Sequence, residues 1–105
     1  MLDPQIQKEL EQAHAARLRG NEGMARVCAR RAAGMAAKAW LIQHGYTPSG
    51  PSAHDHLRTL QRIPGLPRRA RQSVERLLLR VNHEFQLPPG IDLIAEAQVL
   101  IQTLP

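Results

Sequence analysis

The chain has 105 residues, 43% of them hydrophobic and 22% charged, a balance that excludes global disorder and fits one domain with its own core. Its formal charge of +5 is carried almost wholly by arginine, Lys8 and Lys38 being the only lysines. Guanidinium groups suit phosphates and carboxylates, so nucleic acid, nucleotides and acidic protein surfaces are the partner classes to consider. Cys28 is the only cysteine, which excludes an intrachain disulfide. Residues 1–10 lack the basic-then-apolar order of a secretory leader, and no run approaches the roughly 20 apolar residues of a membrane span, so a cytoplasmic protein is expected.

Asp3-Pro4 predicts the start of a first helix, because the carboxylate accepts from amides that lack an intrahelical partner and proline suits the first turn. Ile6, Leu10, Ala13 and Arg17 recur on one side of it, and Gly20 ends it. Asn21 predicts the cap of a second helix running to Gly45, with a buried stripe of Met24, Cys28, Ala32, Met35, Ala39 and Ile42. Ala33, Ala37, Trp40 and Leu41 point away from that stripe, so the helix is apolar on more than one side and belongs at the centre. Residues 45–51, Gly-Tyr-Thr-Pro-Ser-Gly-Pro, read as a loop.

Ser52 and Asp55 have the spacing of a capping box, opening a short third helix that buries Leu57 and Leu60. Residues 63–67, Ile-Pro-Gly-Leu-Pro, interrupt it, and Pro67 starts a fourth helix patterned by Ala70, Val74, Leu77, Leu78, Val81 and Phe85. After Leu87-Pro88-Pro89-Gly90, Asp92 caps a fifth helix that turns Leu93, Ile94, Ala97, Leu100, Ile101 and Leu104 inward. No segment alternates apolar and polar residues over a strand's length. The expected architecture is all-α: an antiparallel up-down bundle of four main helices plus one short helix.

Within the second helix, residues 28–40 (CARRAAGMAAKAW) give up bulky side chains almost completely. A mid-helix glycine, Gly34, costs about 1 kcal/mol relative to alanine, and the compensation is close approach of neighbouring helices. Ala33, Ala37, Trp40 and Leu41 are then covered by another helix of the chain or form an interface with a second subunit. Arg26 and Arg30 border them, as an interface rim, in solvent, or on a nucleotide phosphate.

The order of helices and three stretches resemble the HEPN domain family, a small helical bundle associated with nucleotide or RNA handling. In residues 29–41, ARRAAGMAAKAWL, Lys38 matches the family's late lysine, while Gly34 and Met35 stand where the family has a polar pair. Residues 53–60, AHDHLRTL, are similar to its histidine-aspartate-leucine stretch, and residues 94–101, IAEAQVLI, to its closing helix. The resemblance implies a homodimer, often encoded beside a minimal nucleotidyltransferase as half of a toxin–antitoxin pair. Some members are metal-independent ribonucleases, with an arginine followed after four to six residues by a histidine and two copies of this pair facing one cleft.

Arg76 and His83, with six residues between them, match that spacing. On an unbroken helix they would point within about 20° of each other. Arg69 and Arg80 fall near the same side and Asn82 adds a donor and an acceptor, so the cluster is a candidate phosphate-binding surface. The histidine would move the proton of a ribose hydroxyl and the arginine would hold the phosphate charge of the transition state. Leu77 stands where the family has a polar residue and Glu84 where it often has an aromatic one. In a chain so rich in arginine, with five histidines, the spacing also arises by chance.

His54 and His56 project to nearly opposite sides of a helix and cannot converge on one ion, so capping and loop hydrogen bonds are their expected roles. There is no Gly-rich phosphate loop, paired carboxylate constellation or Cys-His box, and neither metal nor cofactor is expected. Three readings remain: a dimeric HEPN-like module acting through a partner such as a nucleotidyltransferase, with nucleotide or RNA contact; a ribonuclease using Arg76 and His83; and a purely structural interaction bundle.

Overall fold

The computed structural model describes residues 3–80 and 86–105. The described residues form α1 (Pro4–Leu18), α2 (Glu22–Gln43), α3 (Ala53–Gln61), α4 (Arg68–Leu77) and α5 (Leu93–Thr103), with no strand among them. The all-α expectation holds. The helix ends lie where local chemistry predicts: Asp3 accepts from the Gln5 amide, Asn21 from the Met24 amide, and Asp92 from the amides of Ile94 and Ala95. Ser52 and Asp55 complete the capping box in both directions. Gly20 and Gly45 take positive φ just past α1 and α2. There the 6→1 bonds Asn21 N to Ala16 O and Tyr46 N to Leu41 O, each 2.9 Å, close the helices.

Helix lengths depart from the expected four long and one short. α1 and α2 have 15 and 22 residues, whereas α3, α4 and α5 have 9, 10 and 11. The fourth helix stops at Leu77 because its last carbonyls find another donor: Arg30 Nε donates to Leu77 O at 2.9 Å and Nη2 to Leu79 O at 2.7 Å. Those oxygens would otherwise accept from the next helical turn. Val81 and Phe85, expected on this helix, lie outside the described residues.

α2 packs against α1, α3 and α5, while α4 packs against α5 and α3. Its buried positions include Ala25, Cys28, Ala29, Ala32, Ala33, Gly34, Ala37, Trp40 and Leu41. At about 100° per residue these sweep roughly two thirds of the helix circumference. The expected stripe is therefore corrected: of its six members only Cys28 and Ala32 are buried, Met35 is half-buried, Ala39 is exposed, and Met24 and Ile42 are 43% and 57% exposed. Met24, Val27 and Ile42 face outward, while Ala25, Ala29, Ala32, Ala33 and Ala37 face inward together with Trp40 and Leu41. Ala33, Ala37, Trp40 and Leu41 are covered by the chain itself, leaving no area there for a second subunit. The Trp40 indole Nε1 also donates to the Pro105 carbonyl at 2.8 Å, tying the segment after α5 to α2.

Gly34 shows what the small residues permit. A Cβ at this position would come within 2.5 Å of the Ala53 Cβ and 2.6 Å of its Cα, so the first turn of α3 sits against bare α2 backbone. Gly34→Ala gains about 1 kcal/mol of helix propensity but incurs overpacking of about 1–3 kcal/mol against backbone that cannot swing aside. The expected net loss is about 1 kcal/mol, a fall in Tm of about 4–8 °C by calorimetry.

Arg17, which falls on the same side of α1 as Ile6, Leu10 and Ala13, joins three helix ends. Nε donates to Glu22 Oε1 at 2.6 Å and Nη2 to Asp92 Oδ1 at 3.0 Å. The bonds from Arg17 hold Glu22 below its ordinary 4.5. Burial of Asp92 opposes ionisation, but Arg17 and the Ala95 amide outweigh it and hold that carboxyl below its ordinary 3.8. Both acids are stronger folded than unfolded. Their contribution is complete above the unfolded values and is lost as pH falls through the folded ones. With all three side chains at least a third exposed, each pair adds about 0.2–1 kcal/mol. Urea midpoints should fall from about pH 4.5 downward in the wild type, and the fall should be shallower in Arg17→Met, where the backbone amides still hold Asp92.

Candidate functional site

The outward arc of α2 is built from residues three and four apart. Val27, Arg31, Met35, Lys38 and Ile42 lie within about 80° of one another at 100° per residue, and Ala39 extends the arc. Together with Pro51, Ser52, Ala53, His54 and His56 and with Gln5 of α1, this face encloses an open groove of about 810 Å³. Its floor is aliphatic. A second hollow of about 460 Å³, lined by Arg30, His54, Leu78, Leu79 and Arg80, shares Arg30 and His54 with the first and continues it toward the end of α4. Arg30, Arg31, Lys38 and Arg80 supply the charge, and no carboxylate among the described residues lines either hollow.

The wall opposite α2 is held by the loop chemistry. His56, buried at 7% exposure, places Nε2 3.1 Å from the Gly50 carbonyl, in the loop-bonding role expected of one of this histidine pair. Gly50 has φ 78°, and a Cβ there would run into the Asp55 carboxylate that caps α3. On the α2 side, burial and the neighbouring Arg26 push the Arg30 guanidinium below its ordinary value, and the Leu77 and Leu79 carbonyls satisfy its donors. Arg30 is thus a fixed pillar between the two hollows.

Of the expected catalytic cluster, Arg69, Arg76 and Arg80 fall among the described residues. Arg76 turns toward α5, its Nη1 2.9 Å from Glu96 Oε2, and Glu96, 8% exposed, also accepts from the Ser73 hydroxyl at 3.0 Å. Arg80 lies past the end of α4 and faces the groove, whereas Arg69 is exposed in the first turn of α4. Because α4 ends at Leu77, it provides no unbroken helix between Arg76 and His83. His83 and Asn82 lie outside the described residues. Arg26 is half-buried, and its charge helps keep Glu22 ionised.

Cys28 is 3% exposed, and burial, reinforced by the Glu9 carboxylate, pushes its thiol up, away from nucleophilic use. No group of three His, Cys, Asp or Glu among the described residues is arranged to hold a metal. No helix among them is long and apolar enough to cross a membrane. Comparison of the chain with family models, curated proteins and solved structures gives no match.

The groove was not legible in the sequence because three of its lining residues, Met35, Ala39 and Ile42, fit the stripe expected to face inward. A signal was present. Arg31 and Lys38 share the arc of Val27, Met35 and Ile42, and two cations on an apolar stripe mark the wetter side of a central helix.

The Arg76–Glu96 pair has a measurable consequence. Arg76→Ala strands a buried carboxylate and should cost about 1.5–3 kcal/mol by urea denaturation. Adding Glu96→Gln, which leaves a neutral partner for Ser73, should recover much of that loss.

Proposed function

We propose that the chain is a HEPN-like helical module of the cytoplasm that docks another protein across the outer face of α2. The partner is a nucleotidyltransferase of the toxin–antitoxin type that the family resemblance implies. One observation carries the docking: Val27 and Ile42, 39% and 57% exposed, stand in the groove beside half-buried Met35, uncovered by the chain. Covering a large aliphatic side chain contributes about 1.5–3 kcal/mol, and contiguous uncovered ones mark interaction surfaces. The central place of α2 supports the kinship. The link of residues 19–21 between α1 and α2 supports the antiparallel, up-down course that this reading entails.

The ribonuclease alternative draws no support from Arg76, whose guanidinium is engaged by Glu96. RNA or nucleotide contact keeps one supporting observation, the cations Arg30 and Arg80 on the shared hollow. The implied homodimer would need a face other than Ala33, Ala37, Trp40 and Leu41, which lie in the core.

Co-expression with the product of the adjacent gene, followed by size-exclusion with light scattering, tests the reading. A stable complex should form and be lost in Ile42→Asp, a change at an exposed position that leaves the melting curve of the isolated chain unaltered. A chain that elutes alone at 11.7 kDa beside that product overturns it. In chelator, neither the wild type nor His83→Ala should cleave RNA; cleavage by the wild type that the variant lacks would install the enzyme reading instead.

A further inference from the structure

Resting on the partner-docking reading, we infer that the occupant of the α2 groove is an acidic amphipathic α-helix supplied by a different protein. Three observations on the groove select it.

Shape comes first. The aliphatic floor runs from Val27 to Ile42, about 22 Å at 1.5 Å per residue, which accommodates some four turns of a second helix. A helix laid in such a groove offers apolar anchors at i, i+3 or i+4, and i+7, the periodicity with which Val27, Arg31, Met35, Lys38 and Ile42 recur on α2. Charge comes second. Arg31 and Lys38 are exposed on the floor's own arc, Arg30 and Arg80 continue the positive potential beyond His54, and no carboxylate among the described residues lines the groove to neutralise them. Glutamates flanking the apolar stripe of an incoming helix answer this field. A basic helix would be repelled.

The third observation excludes the competing occupants. A second copy related by a two-fold axis presents the same patch to itself, so Arg31 and Lys38 would meet Arg31 and Lys38 with no acid between them. Single-stranded nucleic acid matches the charge but not the floor: no Phe, Tyr or Trp among the described residues lines the groove, and base stacking on aromatic faces is how such strands gain sequence-tolerant affinity. An apolar floor under a cationic rim matches a helix with leucines on one face and glutamates beside them.

The probes are two labelled synthetic helical peptides of 18 residues with the same leucine spacing, one flanked by glutamate and the other by lysine, and a single-stranded RNA oligonucleotide. Fluorescence anisotropy with the full chain should show the glutamate peptide binding at least tenfold tighter than the lysine peptide. Arg31→Glu with Lys38→Glu, both at exposed positions, should reverse that order, and Ile42→Asp should weaken the glutamate peptide at least tenfold. Circular dichroism and melting curves confirm that each variant is folded. Equal binding of the two peptides, no binding of either, or an unchanged order in the charge-reversed variant overturns the inference. Tighter binding of the oligonucleotide than of the glutamate peptide, lost in the same variant, overturns it in favour of nucleic acid. A co-expressed complex that survives charge reversal sinks the acidic helix while leaving the docking reading intact. Charge-ordered peptide binding without that complex does the reverse.

Discussion

Everything in this molecule is arranged around how closely other segments approach α2. Where Gly34 meets Ala53, the separation leaves no room for even one methyl group on α2, and the alanines flanking it are fully buried. Small residues contribute little burial each, so stability comes instead from surrounding the helix on about two thirds of its girth, with α1, α3 and α5 each laid against it. The bulk that α2 lacks is supplied by its neighbours. Leu57 and Leu60 of α3, Leu77 of α4, and Leu93, Ile94 and Leu100 of α5 are almost wholly buried.

The arginine excess takes on a different meaning once the fold is known. Arg17 fastens the ends of α1, α2 and α5, and Arg30 finishes α4. Arg71 donates to the carbonyls of Gln61 and Ile63 at the end of α3, while Arg76 answers the buried Glu96. Arg30 and Arg71 substitute for missing backbone partners where short helices end, and Arg17 and Arg76 pair with carboxylates, tasks that suit a planar, multiply donating cation. Of the exposed cations, Arg31, Lys38 and Arg80 border the groove, while Arg19, Arg58, Arg62, Arg68 and Arg69 lie elsewhere on the surface.

That groove is the functional residue of the architecture. A central helix buried on two thirds of its girth has one remaining side, and here that side carries aliphatic residues and cations rather than a uniformly polar coat. The reading as a docking module follows from that combination, and the nuclease reading weakens because the arginine it needs closes a structural ion pair. In the proposed reading, the kind of partner comes from the family resemblance, and the place and chemistry of contact come from the groove.

Helix starts and stops were legible in the sequence because they depend on residues within a few positions of one another. Asp3, Asn21, Ser52 with Asp55, and Asp92 cap where their spacing says, and Gly20 and Gly45 end helices by adopting a backbone conformation that side chains disfavour. The centrality of α2 was legible too, from its apolar girth. Which side of it faces water was not: Met24, Met35, Ala39 and Ile42 share one helical phase, Ala29, Ala33, Ala37 and Trp40 another, and hydrophobicity alone favours the bulkier set. The tertiary structure chose the alanines for the core because α3 approaches α2 too closely for larger side chains, a steric fact that exists only between segments. It likewise stopped α4 at Leu77 by bringing Arg30, 47 positions away, to its last carbonyls. Local hydrogen bonding was thus written along the chain, whereas phase, helix length and the groove were decided by which backbones come near one another.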